Sequence, residues 1–199
     1  MGSNRRLDLS VINVVDVEAT CWDGSGRPEG QTSEIIEIGV CTFDVRAKTR
    51  GRKRALLVTP EHSEVSDFCT ALTGHTQERL EEEGVALADA CDLLREQYKS
   101  DRRPWASWGD YDRDLFRRQC SWPNGPRFRV PTYPFGHWHM NLRLLFSLGA
   151  KLDHEATLRE ALELKGYQFE GRQHNGADDA WNIARLLKDV LKDLRTEWW

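Results

Sequence analysis

The ten residues LSVINVVDVE, Leu9 to Glu18, decide how this chain is read. They are nearly continuous in β-branched side chains, the mark of a strand buried on both faces. Yet the run closes with Asp16 and Glu18 at i and i+2, which puts both carboxylates on one face, about 7 Å apart at their bases. Carboxylates set into an apolar strand are costly unless something positive sits among them. A divalent ion is the simplest candidate, because hard cations such as Mg²⁺ take oxygen ligands and keep waters and phosphates in their remaining positions. That chemistry points to phosphodiester hydrolysis. A strand end dipping into solvent would explain the pair equally well, since so short a motif recurs by chance.

Downstream, EIIEIGVCTFDV (34–45) reads as a second strand and RALLVTP (54–60) as a third, joined as a hairpin across a basic turn. The Gly-, Pro- and Ser-rich WDGSGRPEGQTS (22–33) loops between the first two strands. SDFCTALTGHTQERLEEEG (66–84) predicts helix capped by Ser66 or Asp67. ALADACDLLREQY (86–98) carries Leu87, Cys91, Leu94 and Tyr98 at helical spacing. Trp105–Trp108 predicts a short fourth strand, DYDRDLFRRQC (110–120) a helix, and SWPNGPRFRVPTYP (121–134) a long loop. TYPFGHWHMN (132–141) predicts a fifth strand, followed by helices in LRLLFSLG (142–149) and LREALELKG (158–166). A final helix runs from about Asp178, with Ala180, Ile183, Ala184, Leu187, Val190, Leu191 and Leu194 as one apolar stripe. Strands first and helices between them predict an α/β layered domain, a mixed sheet covered by helices.

At 199 residues the chain predicts one domain over 1–199, with a core from about 9 to 195. No stretch resembles a signal peptide or a membrane span, and Asp16 interrupts the first apolar run. Five cysteines, widely spaced and without C-x-x-C, argue against a zinc site or a disulfide framework and for a reduced, cytoplasmic setting. The net charge of −4 argues against a large general nucleic-acid surface. Within it, RAKTRGRKR (46–54) concentrates Arg46, Lys48, Arg50, Arg52, Lys53 and Arg54, either as a solvated hairpin tip or as a phosphate-tracking element. Arg113, Arg117 and Arg118 form a second basic group.

Two further acidic contexts stand out. Asp112 in SWGDYDRDLF follows the short strand, where Asp110, Asp112 or Asp114 could equally cap the next helix. His174 and Asp179 in RQHNGADDAWNIARLL lie five residues apart at the start of the last helix, where the dipole favours a negative charge at Asp178 or Asp179.

Taken together, DVEATC, EIIEIG, FCTALTGHTQ, SWGDYD and HNGADDAWNIARLL resemble the ordered signatures of the DEDDh 3′→5′ exonucleases. The branch they resemble is that of the Eri-type exoribonucleases, which holds the histone-mRNA 3′-end exonuclease and bacterial relatives of the KapD kind. The likeness runs from Val11 to Leu187. It implies a ribonuclease H-like fold, a five-stranded mixed sheet flanked by α-helices. It also implies Asp16, Glu18, Asp112 and Asp179 as metal ligands, with Asp179 chosen over Asp178 by spacing. His174 would be the general base, in contact with substrate, and Glu18 would share in catalysis. Ala19 and Thr20 fall where the terminal nucleotide is contacted, and Phe68, Leu72 and Tyr111 where its base is held. The implied cofactors are two Mg²⁺ or Mn²⁺ ions about 3.5–4 Å apart. The implied partner is single-stranded nucleic acid, RNA ahead of DNA, with no membrane. A single-stranded-DNA exonuclease and a non-catalytic regulator on the same fold are the rival readings. Three departures bear on substrate choice: Tyr111 stands where Trp is common, His75 replaces an aliphatic residue, and the loop Trp122–Pro131 has no family counterpart.

Overall fold

The computed structural model describes residues 6–24, 26–121 and 131–196. Its centre is β1 (Val11–Ala19), the strand that the opening run predicts. β2 (Ile35–Asp44) pairs with it antiparallel, and β3 (Thr49–Leu57) continues antiparallel on the outside. On the other side β4 (Trp105–Ser107) and β5 (His139–Asn141) run parallel to β1. The sheet order β3-β2-β1-β4-β5 is the five-stranded mixed sheet that the family resemblance implies.

Helices cover both faces. On one, Ile12 and Val14 of β1 and Cys41 and Phe43 of β2 pack against α5 (Leu142–Gly149), α6 (Leu158–Leu164) and the long α7 (Gly176–Thr196). On the other, Val15 and Val17 meet α3 (Leu87–Tyr98) and α4 (Tyr111–Gln119). Two short helices, α1 (Asp67–Thr73) and α2 (Gln77–Glu83), sit beyond the end of β1. No helix among the described residues is long and apolar enough to cross a membrane.

Four local expectations are corrected. The helix predicted over 66–84 is two helices: Ser66 caps the first through Cys69 N–H, Gly74 ends it at φ +82°, and Thr76 caps the second. β3 begins inside the basic run at Thr49, because the turn is only four residues and an exposed edge strand accommodates charged side chains. β5 shrinks to three residues, since only 139–141 have β4 to pair with. α7 starts at Gly176, two residues before Asp178. The loop Trp122–Pro131 lies almost entirely outside the described residues, as does the Leu194 side chain of the predicted stripe.

One glycine pair decides where α7 begins. Gly39 lies opposite Asp16 in the β1–β2 register, and a Cβ built on it would stand 1.8 Å from the carbonyl carbon of Gly176. The helix start is therefore pressed onto the sheet beside Asp16, a closeness that only a bare backbone allows. Gly39→Ala should destabilise the fold by about 1–3 kcal/mol through forced displacement of α7. A urea denaturation midpoint unchanged from the parent would show that the helix can slide away freely.

Candidate active site

Alternation along β1 continues the apolar row Ile12 and Val14 into Asp16 and Glu18, so both acids face α7. Beside them the sheet runs out. Asn13 N–H donates to Pro104 O (3.0 Å), so the amides of 13, 15 and 17 point toward β4. β4 stops at Ser107, and the Val17 amide finds Asp112 Oδ1 instead, at 2.8 Å. Asp112 thus stands in for a missing ladder partner and is buried against the backbone between the two acids. It lies in the first turn of α4 but does not cap it; the N-cap is Asp110.

Asp179 arrives from α7. Asn175 caps that helix, its Oδ1 accepting Asp178 N–H at 3.1 Å. The Asp179 carboxylate lies near the backbone amides of His174 and Asn175, which favour its charged form, so the same acid that faces β1 also neighbours the histidine. His174 is exposed and held at φ +58°, a left-handed conformation that a non-glycine residue keeps only when its surroundings impose it. Asp16, Glu18 and Asp179 each offer one carboxylate oxygen within 4.8 Å of the other two. Asp178 turns away, accepting Arg172 N–H at 2.8 Å and pairing with Lys53.

So many acids in one buried corner resist ionising together. Burial, then the fields of Asp179, Glu37 and Asp112, push the Glu18 carboxyl up to about 8. Burial raises Asp112 and Asp179 to about 7 each, against the amides that stabilise their charged forms. Asp16 is raised well above the usual carboxylate range, first by burial and then by Asp112, Asp179 and Glu18. Arg172 pulls the other way on Glu18 but ranks below the acids. Oxygen ligands in excess of local positive charge are the donor set that a hard divalent cation requires, and the trio fits one.

Two residues of this corner escape a motif reading. Glu37 pairs with Glu18 in the sheet register and is fully buried. Its Oε1 accepts Ala177 N–H (3.1 Å) at the positive end of α7, and its Oε2 lies 2.5 Å from His75 Nε2. His75, one of the departures from the family pattern, therefore has a buried carboxylate partner. Glu37 could have been found by the argument applied to Asp16, as a carboxylate inside the apolar run EIIEIG. Arg172 gave no such signal; its guanidinium donates to Leu72 O (3.3 Å) and Ala71 O (3.5 Å), tying the end of α1 to the His174 loop.

The rim is apolar. Phe68 and Leu72 share a face of α1 at i and i+4, with Phe68 42 % exposed. α1 is drawn to the end of β1 by Ser66 Oγ on Cys21 O (2.6 Å) and by Cys69 Sγ on Ala19 O (3.6 Å). Tyr111, 57 % exposed, stands close enough to Glu18 and Cys21 to feel both. Ala19 is half-buried. Thr20 is the exception among the rim residues expected from sequence. Its side chain is buried, with the hydroxyl 2.8 Å from Ser63 Oγ and accepting Glu34 N–H (2.9 Å), because β1 turns inward there.

The basic run divides: Arg46 and Lys48 stand exposed in the turn as a solvated tip, whereas the four basic residues of β3 have partners. Arg50 donates to Trp181 O and Glu170, Arg52 to Gln97 O, Arg54 to Gln97 Oε1, and Lys53 pairs with Asp178. These side chains stitch the edge strand to α3 and α7.

The sequence signature of the exonuclease family matches residues 14–187. The chain belongs to this family. Among its relatives, the 3'-5' exonuclease Snipper of Drosophila melanogaster is 26 % identical over 92 % of this chain and 70 % of its own length. The 3'-5' exoribonuclease 1 of Homo sapiens is 30 % identical over 92 % of this chain but 52 % of its own, so the chain spans about half of that relative. Among solved structures, the nuclease domain of 3'hExo, a DEDDh family member bound to rAMP, matches with a TM-score of 0.76. Its sequence identity is 28 %, and the match covers 93 % of each chain. The DEDDh and Eri-type resemblance read from the motifs holds. Exonucleases of this family use divalent metal ions, in keeping with the acidic cluster.

The raised carboxyls make a prediction for the metal-free protein. Their unfolded values lie near 4 and their folded values near 7–8, so between these limits the folded state binds more protons than the unfolded chain. The resulting penalty is absent below about pH 4 and grows until about pH 8. In EDTA the Tm should therefore fall as pH rises from about 5 to 8, and Mn²⁺ at the upper pH should restore it. A flat or rising Tm, unmoved by Mn²⁺, would contradict this account of the cluster.

Proposed function

We propose that this chain is a 3′→5′ exonuclease that shortens single-stranded RNA from its 3′ end and releases nucleoside 5′-monophosphates. The observation that carries this reading is the convergence of Asp16, Glu18 and Asp179 at the loop that bears His174. Asp16, Glu18 and Asp179 would hold divalent ions, Mg²⁺ or Mn²⁺ and two in number, with Asp112 acting through water. Bound there, the ions would lower the pKa of the attacking water and offset the charge on the scissile phosphate.

The protein's own residues supply the rest. His174, through its imidazole ring, takes the proton of the attacking water. Its backbone amide lies near Asp179 while its ring is exposed, so the ring can turn to the phosphate. The bond to the 3′ oxygen of the penultimate nucleotide then breaks. Phe68 and Leu72 on one side and Tyr111 on the other hold the terminal base by its faces. Stacking of that kind is worth about 1–3 kcal/mol per base and depends little on which base it is. Glu18 and the Ala19 backbone receive the 3′ hydroxyl. RNA is preferred to DNA on the strength of a relative named as an exoribonuclease and a neighbour that binds rAMP. Five free thiols suit a reducing, cytoplasmic setting.

A 5′-labelled single-stranded RNA with Mn²⁺ should give a ladder descending from full length, and excess EDTA should abolish it. His174→Ala should lower single-turnover rates by about 10²–10⁴-fold while the metal-induced rise in Tm stays. Cleavage of a circular RNA, or an unchanged rate in the histidine variant, would refute the reading.

A further inference from the structure

The nest of carboxylates opens on a second recess that none of the rim residues lines. It has a volume of about 350 Å³ and is bounded by Thr157, Leu158, Arg159, Phe169, Gln173, His174 and Asp179. That volume falls at the lower end of the roughly 300–1,000 Å³ typical of ligand sites. His174 and Asp179 form the wall shared with the proposed metal site. Leu158 and Phe169 pack against the core and give an apolar floor. Arg159 is the recess's basic side chain, exposed on the first turn of α6, and it donates to Gln173 Oε1 at 2.9 Å. That bond uses one N–H of a guanidinium that carries five.

A strand cut at the nest must continue somewhere. The terminal nucleotide occupies the rim of Phe68, Leu72 and Tyr111; the nucleotide on the 5′ side of the scissile bond carries the leaving oxygen and needs its own seat. An apolar floor with one guanidinium at its mouth matches a base and the phosphate that follows it. We propose that this recess binds the penultimate nucleotide of the substrate strand, with Arg159 gripping the phosphate on its 5′ side. The inference rests on the exonuclease reading above and adds the direction in which the strand leaves the active site.

Two substrates separate the claims. The p-nitrophenyl ester of uridine 5′-monophosphate contains the terminal nucleotide and a leaving group but nothing upstream, whereas an oligouridylate of about ten residues fills both seats. Arg159→Ala should lower kcat/KM on the oligomer by about tenfold, the loss expected for one charge-assisted phosphate contact. The slope of log(kcat/KM) against log[salt] should become shallower by about one phosphate's share. Hydrolysis of the ester should change by less than about twofold. Arg159→Lys should recover part of the oligomer rate as a point charge. Equal losses on both substrates would overturn the proposal, because Arg159 would then act by positioning His174 through Gln173. No loss on either would overturn it too. A parent protein inactive on both substrates with Mn²⁺ would instead sink the exonuclease reading on which the inference stands.

Discussion

Crowding of negative charge is the constraint to which the rest of this fold answers. Asp16, Glu18, Glu37, Asp112 and Asp179 reach one corner from two strands and two helices; burial raises four of them, and repulsion between acids adds to it at Asp16, Glu18 and Asp179. Three of the five are met by backbone amides. Glu37 takes Ala177 N–H and Asp112 takes Val17 N–H, while Asp179 lies near those of His174 and Asn175. Asp16 and Glu18 are left facing other carboxylates. Asp179 belongs to both groups, since it lies against backbone amides and also offers an oxygen to the trio with Asp16 and Glu18.

That arrangement depends on distances set far from any charge. Asp179 reaches Asp16 only because α7 begins against Gly39, and the position of α7 is held along its length by Ala180, Ile183, Ala184, Leu187 and Val190 in the core. The left-handed His174 is the point at which this packing forces an unfavourable backbone. Strain of about 1–3 kcal/mol of this type survives only where neighbours over-determine it. Here the neighbours are the Asp179 carboxylate beside its amide and Asn175 capping the helix one residue later.

The parts legible in the sequence are those whose signal is local. β1 and its D-x-E pair, the hairpin, and the helices at 86–98 and 142–149 follow from periodicity that tertiary contacts only reinforce. Three kinds of feature were not legible. His75 lies 38 residues from Glu37 and gains its partner only when the sheet register and the end of α1 bring the two side chains to 2.5 Å. Arg172 looks like any surface arginine until Gly74 leaves room for its guanidinium at the end of α1. Thr20 follows the acidic pair directly, yet the chain turns at the end of β1 and its hydroxyl goes to Ser63 and Glu34. In each case the deciding partner is remote in sequence.

The fate of the basic hairpin bears on how an acidic protein handles an anionic polymer. With a formal charge of −4, electrostatic attraction over the whole surface does not favour RNA. Arg50, Arg52, Lys53 and Arg54, the obvious counterweight, are engaged with Glu170, Gln97, Tyr98, Trp181 and Asp178. Arg113 is likewise paired with Asp110 and Asp114. On the function proposed above, much of the attraction for the substrate is local, supplied by cations held in the carboxylate nest and by single exposed side chains such as Arg159. Each phosphate neutralised on a single strand contributes a salt slope of about 0.7, so binding built this way varies shallowly with ionic strength.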